Sequence, residues 1–191
     1  MQVVNSDREL KDEEIILNPK KHIVSKTDLK GNITYGNDYF TEISGYSEAE
    51  LIGQPHNIIR HPDMPRIVFK MGWDSIKSGL PIFAVVKNLA KDGKYYWVVA
   101  ELDVRRDDMT HEVIGYNAYR VAASKKVVAA IEPLYKKLVE IEKISGMKGS
   151  EDYLAGYLEE AGTTYDKYID NLIGNKGIFK LFFSAMKKIF S

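Results

Sequence analysis

The sequence predicts an α+β domain built on an antiparallel sheet, followed by a helical extension. Three observations carry that prediction. β-rich runs at 22–27 and 33–35 flank a cluster of turn formers, and three more such runs fall between 82 and 121. Between the two groups, apolar residues recur at helical spacing with cap and break residues at the ends of each run. Past Ala122 the periodicity is helical only. The order β-β-α-α-α-β-β-β is that of an antiparallel sheet with its helices segregated to one side.

Met1–Lys20 mixes both charge signs with little periodicity and forms a cap segment, either loose or a short helix. His22–Thr27 alternates, the turn centres on Lys30-Gly31-Asn32, and Ile33-Thr34-Tyr35 resumes as the second strand of a hairpin. Asn37-Asp38 offers an N-cap to a helix with Tyr39, Phe40 and Ile43 on one face, ended by Ser44-Gly45-Tyr46. Ser47 and Glu50 make a capping-box pattern for another short helix.

Gly53–Pro65 comes next and holds three of the six prolines and two of the four histidines. Prolines fix φ and disfavour helix in the residue before them, so this is an irregular segment. Its side chains suit a ligand wall; a Pro-rich surface loop with incidental histidines is the other reading. Arg66–Ser78 is a helix with Ile67, Val68, Met71 and Ile76 on one side and Gly79 as its C′ residue, while Trp73 stands off that stripe. Ile82–Leu89 and Tyr95–Val104 are strands joined by Lys91-Asp92-Gly93-Lys94, whose Asp-Gly pair favours a hairpin, and Val113–Val121 is the last strand.

In the extension, Ser124 caps a helix carrying Val127, Val128, Ile131, Leu134, Leu138 and Ile141. Pro133 is expected to kink it or restart it. Gly146 and Gly149 break the pattern, and a second helix opens at Ser150-Glu151-Asp152 and runs past Leu172 to Gly174. A last helix, 177–191, places Ile178, Phe179, Phe182, Phe183, Met186, Ile189 and Phe190 on one face, with Lys176, Lys180, Lys187 and Lys188 beside it. Such a helix suits a membrane interface, or it packs onto its own sheet or a partner helix. It is too short to span a bilayer. The expected organisation is a cap at 1–21, a sensor domain at 22–123 and a helical extension at 124–191.

Composition narrows the function classes. Of 191 residues, 45% are hydrophobic and 28% charged, an ordinary globular balance. Lys+Arg and Asp+Glu both total 27, which argues against nucleic acid as a partner. The chain has no cysteine, so disulfides, thiolate metal sites and cysteine nucleophiles are excluded. No secretory leader opens it and no apolar run approaches a membrane span, which predicts a soluble cytoplasmic protein. No nucleophile–base pair, phosphate loop or His/Glu metal spacing appears, so no catalytic residue is expected and the chain is read as a non-enzyme.

Long strings narrow the reading further. Ile33-Thr34-Tyr35-Gly36-Asn37-Asp38-Tyr39-Phe40, Ser44-Gly45-Tyr46 and Glu50-Leu51-Ile52-Gly53 resemble the opening of PAS domains. Gly53-Gln54-Pro55-His56-Asn57, Arg60-His61-Pro62-Asp63-Met64-Pro65, Val86-Lys87-Asn88, Tyr95-Tyr96-Trp97-Val98 and Glu132-Pro133-Leu134-Tyr135-Lys136 are similar to the FAD-binding PAS domain of bacterial aerotaxis and energy-taxis receptors. The resemblance covers about Ile23–Leu138. It implies a five-stranded antiparallel sheet with short helices over one face and FAD between them. By position, the flavin site draws on His56, Asn57, Arg60, His61, Asp63, Trp73, Asn88, Tyr96 and Trp97.

Those residues make chemical sense. Arg60 offers a forked donor set to pyrophosphate, Asn88 a donor and an acceptor to the ring edge, and Trp73 an aromatic cover. One position departs from the family: Ile82 follows Pro81 where family members often have tryptophan. Without a cysteine, the covalent light-driven adduct of other flavin PAS domains is excluded. The implied function is redox or energy-taxis sensing, with output through a separate membrane-bound chemoreceptor. A homodimer and peripheral membrane contact through 176–191 are compatible with it. The alternatives are haem held by His56 or His61, and a cofactor-free PAS module that scaffolds a signalling complex.

Overall fold

The computed structural model describes residues 8–174, 183–185 and 188–189. Five strands form one antiparallel sheet: β1 (Ile23–Thr27), β2 (Ile33–Gly36), β3 (Ile82–Leu89), β4 (Tyr95–Arg106) and β5 (Val113–Ala122). Their order is β2-β1-β5-β4-β3, so the last strand made is the middle of the sheet. Between β2 and β3 lie α1 (Asp38–Ser44), α2 (Glu48–Leu51), a 3-10 turn at His56–Ile59 and α3 (Arg66–Lys77). The expected β-β-α-α-α-β-β-β order is present, with the five-stranded antiparallel sheet that the resemblance implies.

Local chemistry sets the element ends. Asn37 accepts from the Phe40 N–H and caps α1, and Gly45 closes it in the left-handed region at φ 73°. The Glu50 carboxylate accepts from both the backbone N–H and the hydroxyl of Ser47, as the Ser47–Glu50 spacing predicts. Gly31, at φ 84°, completes the first hairpin turn, in which Asp28 N–H donates to the Asn32 carbonyl.

Register fixes which side chains share a face. Ile23 lies beside Arg120, Ser25 beside Ala118, Ala100 beside Arg120 and Ala84, and Tyr96 beside Asn88. Ile23, Tyr96, Val98 and Ala100 pack with Phe40, Ile43, Leu51 and Ile59, so this is the face that α1, α2 and the 3-10 turn cover. Gly72 meets Leu102 on the same face, which brings α3 to it. Alternation sends Val24, Val85, Trp97 and Tyr119 to the opposite face.

That opposite face is covered by the extension. α4 (Lys125–Glu160) stacks Tyr135 on Trp97 and donates the Tyr135 hydroxyl to the Val85 carbonyl at 2.9 Å. α5 (Tyr165–Ile173) packs against β3 and α4, with Tyr165 and Ile169 buried. No helix among the described residues is long and apolar enough to cross a membrane.

Several expectations are corrected. Residues 8–17 are an extended strap that pairs with the β3–β4 hairpin through Glu14 and Tyr95, with no helix. α4 runs through Pro133 without a break; Ile131, Leu134 and Tyr135 are buried around it, and that packing offsets one missing hydrogen bond. The break falls at Gly146 alone (φ 69°, ψ −174°), and Gly149 lies inside the helix. The helix expected from Ser150 past Leu172 is two: a turn at Gly162 and an N-cap at Thr164 divide it. The last helix, 177–191, lies mostly outside the described residues. Within it, Phe183 is buried on the opposite face of the sheet among Val24, Tyr119 and Phe83.

Candidate functional site

Gly53–Pro65 crosses the helix-covered face from one hairpin to the other. At its start, Gly53 takes φ 82° and its N–H donates to the Ile33 carbonyl, while His56 N–H donates to Gly31. Pro55 then opens the 3-10 turn, and Arg60 bridges to Asn88 on the edge strand β3. Pro65 leads directly into α3. The prolines thus hold a short wall in one conformation, as the irregular-segment reading requires.

Under that wall sits a buried cation. The Arg120 guanidinium donates to the Ser25 hydroxyl at 3.1 Å and to His56 Nε2 at 2.7 Å. Because arginine only donates, His56 Nε2 is an acceptor and the ring is neutral with its proton on Nδ1. Burial, then the Arg120 and Arg60 charges, hold His56 well below its ordinary range. Phe40 stacks on the His56 ring at 6.2 Å and lies beneath the Arg120 guanidinium. Arg120 is 3% exposed, and no carboxylate among the described residues pairs with it. Desolvation lowers its pKa to about 10.

Other polar groups on this side lack protein partners. Asn88 Nδ2, the Tyr96 hydroxyl, Thr27 Oγ1 and Arg60 Nε are buried without hydrogen bonds. The Arg60 guanidinium lies 3.6 Å above the Phe69 ring, and burial brings its pKa to about 10. Buried polar atoms are normally paired, so four orphans in one layer call for an explanation. The sheet beneath is lined by small side chains: Ser25 beside Ala118, and Ala84 beside Ala100. At one margin Trp73 meets Tyr116 edge-on at 5.3 Å and lies so close to Gly31 that a Cβ there would meet the indole at 2.9 Å.

The structure divides the sequence-predicted residues into two groups. His56, Asn57, Arg60, Trp73, Asn88 and Tyr96 are on the helix-covered side or its wall. His61, Asp63 and Trp97 are not brought to it. His61 meets Tyr95 edge-on at 5.9 Å, and its Nδ1 accepts from the Asp63 N–H at 3.1 Å. Asp63 accepts from Lys87 Nζ at 2.7 Å, and Trp97 stacks on Tyr135 of α4. These residues form a second cluster around the β3 edge, on the face that the extension covers. Asp63, Lys87, Trp97, Glu132, Tyr135 and Lys136 line a small cleft there. Adjacent residues on a strand point to opposite faces, which is why Tyr96 and Trp97 part company.

Sequence reasoning missed Arg120, Ser25 and Thr27. Arg120 follows Tyr119 in an apolar run and reads as an exposed strand position. The available signal was period two: Tyr116 and Ala118 set a face that Arg120 must share.

Residues 33–117 match the family model described as "PAS fold". The chain is 44% identical over 117 residues to the Aerotaxis receptor of Escherichia coli (strain K12), covering 61% of this chain and 22% of that protein. It is 33% identical over 75 residues to the Nitrogen fixation regulatory protein of Klebsiella pneumoniae, covering 39% of this chain and 15% of that one. The chain therefore spans under a quarter of the length of either relative. A solved structure described as "Flavin Analogue Sheds Light on Light-Oxygen-Voltage Domain Mechanism" superposes with TM-score 0.51 at 19% identity, covering 61% of this chain and 86% of that one.

Proposed function

We propose that this chain, which carries a PAS domain, is a redox sensor in taxis signalling that holds FAD between its sheet and its wall of short helices. The single observation that carries the reading is the orphaned set of Asn88 Nδ2, Tyr96 hydroxyl and Arg60 Nε on one face of the sheet. A flavin presents ring carbonyls and ring nitrogens, hydroxyls and phosphates, and each orphan has a natural counterpart among them. When bound, FAD supplies reversible electron uptake at its ring.

The chain's own residues have distinct parts. The Asn88 amide offers a donor and an acceptor to a ring edge, and burial at 4% exposure keeps water from competing. Arg60, fixed on Phe69, presents a planar donor set toward phosphate. Trp73 closes one margin, and Ile82, 5% exposed beside Leu102, supplies aliphatic bulk where relatives often carry an indole. His56 stays neutral and orients Arg120. Haem through His56 is less well supported, because its Nε2 already accepts from Arg120.

Output follows from a contact between layers. The Glu142 carboxylate of α4 accepts from the Arg66 and Ile67 N–H groups, both at 2.9 Å, so the wall helix α3 and the extension are joined at a charged cap. Asn88 and Arg60 would hold the flavin, and a change in what their donors meet would pass through the wall and the Glu142 cap to α4. A separate membrane-bound chemoreceptor is the proposed listener. The test is the visible spectrum of the purified full chain. Flavin bands that bleach on dithionite and are lost in Asn88→Ala are expected; a Soret band, or no colour with no FAD uptake, overturns the reading.

A further inference from the structure

The geometry points to Arg120 as the charge partner of the pocket's ligand, donating to an anionic or electron-rich oxygen edge of the flavin ring, with Ser25 and His56 as its positioning residues. The inference rests on the proposed flavin pocket and adds to it a residue outside the matched strings.

The first support is the missing acid. A guanidinium taken out of water is costly unless paired, and both partners of Arg120 are neutral. Retaining such a cation at the middle of a sheet, where an aliphatic side chain would pack, is unfavourable in the ligand-free protein. A ligand that brings negative charge or strong acceptors removes that penalty. The second support is position. Arg120 sits on the central strand β5 between Ile23 and Ala100, and two residues along lie Ser25 and Ala118, so most of its neighbours on this face are small. Arg60 lies against the edge strand instead, bridged to Asn88. Two guanidiniums at two depths suit a ligand with acceptors at both ends.

The positioning pair is also specific. His56 accepts through Nε2, so a protonated ring would set a donor against a donor. Ser25 and His56 lie 3.1 Å apart, so removing the guanidinium leaves them bonded to each other. Arg120→Met therefore removes charge without stranding either partner.

Opposite signs in two measurements test this. Ligand-free wild type, Arg120→Met and Arg120→Lys are compared by thermal unfolding, and each is titrated with riboflavin, which has the ring without phosphate, and with ADP, which has phosphates without the ring. Ligand-free Arg120→Met is expected to melt higher, by about 3 °C. It is expected to bind riboflavin about tenfold or more weakly, with ADP unchanged and Arg120→Lys between the two. A lower melting point with unchanged riboflavin affinity makes Arg120 a structural cation and overturns the inference, and selective loss of ADP overturns the ring assignment. If wild type binds neither FAD nor riboflavin, the flavin reading itself fails. The melting comparison then still decides whether the Arg120 charge is uncompensated: a lower melting point overturns that too.

Discussion

His61 shows how one side chain couples stability to pH. It is 4% exposed, its Nδ1 accepts from the Asp63 N–H, and burial and then Lys87 push its pKa down to about 4. The unfolded chain binds the proton first, near pH 6.5. Stability is therefore full above that value, falls between about 6.5 and 4, and levels off below. The loss attributable to His61 is on the order of 3 kcal/mol. His56 is shifted in the same direction and adds to the fall. His61→Asn, which keeps an acceptor for Asp63, is expected to flatten the difference between urea midpoints at pH 7 and pH 5; an unchanged slope shows that His61 titrates normally. Legibility at this scale was uneven. Asn88 and Tyr96 were readable from the strings that resemble the family, because position along matched strands carries over. Trp97 stands on the face that α4 covers for a geometric reason, since the string names residues but alternation decides the face. Arg120 was missed because its only mark is period two with Tyr116 and Ala118, and the arginine itself reads as a solvated residue.

At the level of elements, α3 begins at a proline with no side chain able to cap it, and Glu142 does so from another helix. The carboxylate also accepts from the Ser150 hydroxyl and lies 3.3 Å from Arg66 Nε, so four donors converge on it. Glu142→Ala is expected to cost about 1–3 kcal/mol in chemical unfolding, and Glu142→Gln less, because one carbonyl acceptor remains. No change in either variant would detach α3 from the extension. This cap could not be read in the sequence, because donor and acceptor are 76 residues apart. Local caps could: Asn37 and Ser124 each lie three residues from the N–H they accept from, and Glu50 three from the Ser47 N–H that donates to it. The division at Gly162 and Thr164 carried a signal as well, a glycine followed by a capping threonine, but the continuous apolar stripe from Tyr153 to Leu172 outweighed it. Pro133 erred the other way, since burial around it overrode a local preference.

Over the whole molecule, the sheet is insulated on both faces. Phe183, 1% exposed, lies 5.6 Å from the Phe83 ring and beside Val24 and Tyr119, so part of the terminal aromatic face is spent on the protein's own sheet. Phe183→Ala is expected to destabilise by about 3–5 kcal/mol in urea unfolding; an effect near zero would mean that the contact is not formed in solution. The strand order has a consequence for how the protein is made. Each outer hairpin, β1–β2 and β3–β4, pairs residues near in sequence and can form as soon as it leaves the ribosome. Within the sheet, neither is paired with the other until β5 emerges, and the Ser25–Arg120 contact spans 95 residues. Such long-range closure is slow. The strand that sutures the two halves also carries the guanidinium, so closing the sheet is the step that buries the charge. Until then the two halves of the sheet are unjoined at their centre, and the helix-covered face is complete only once β5 has been made.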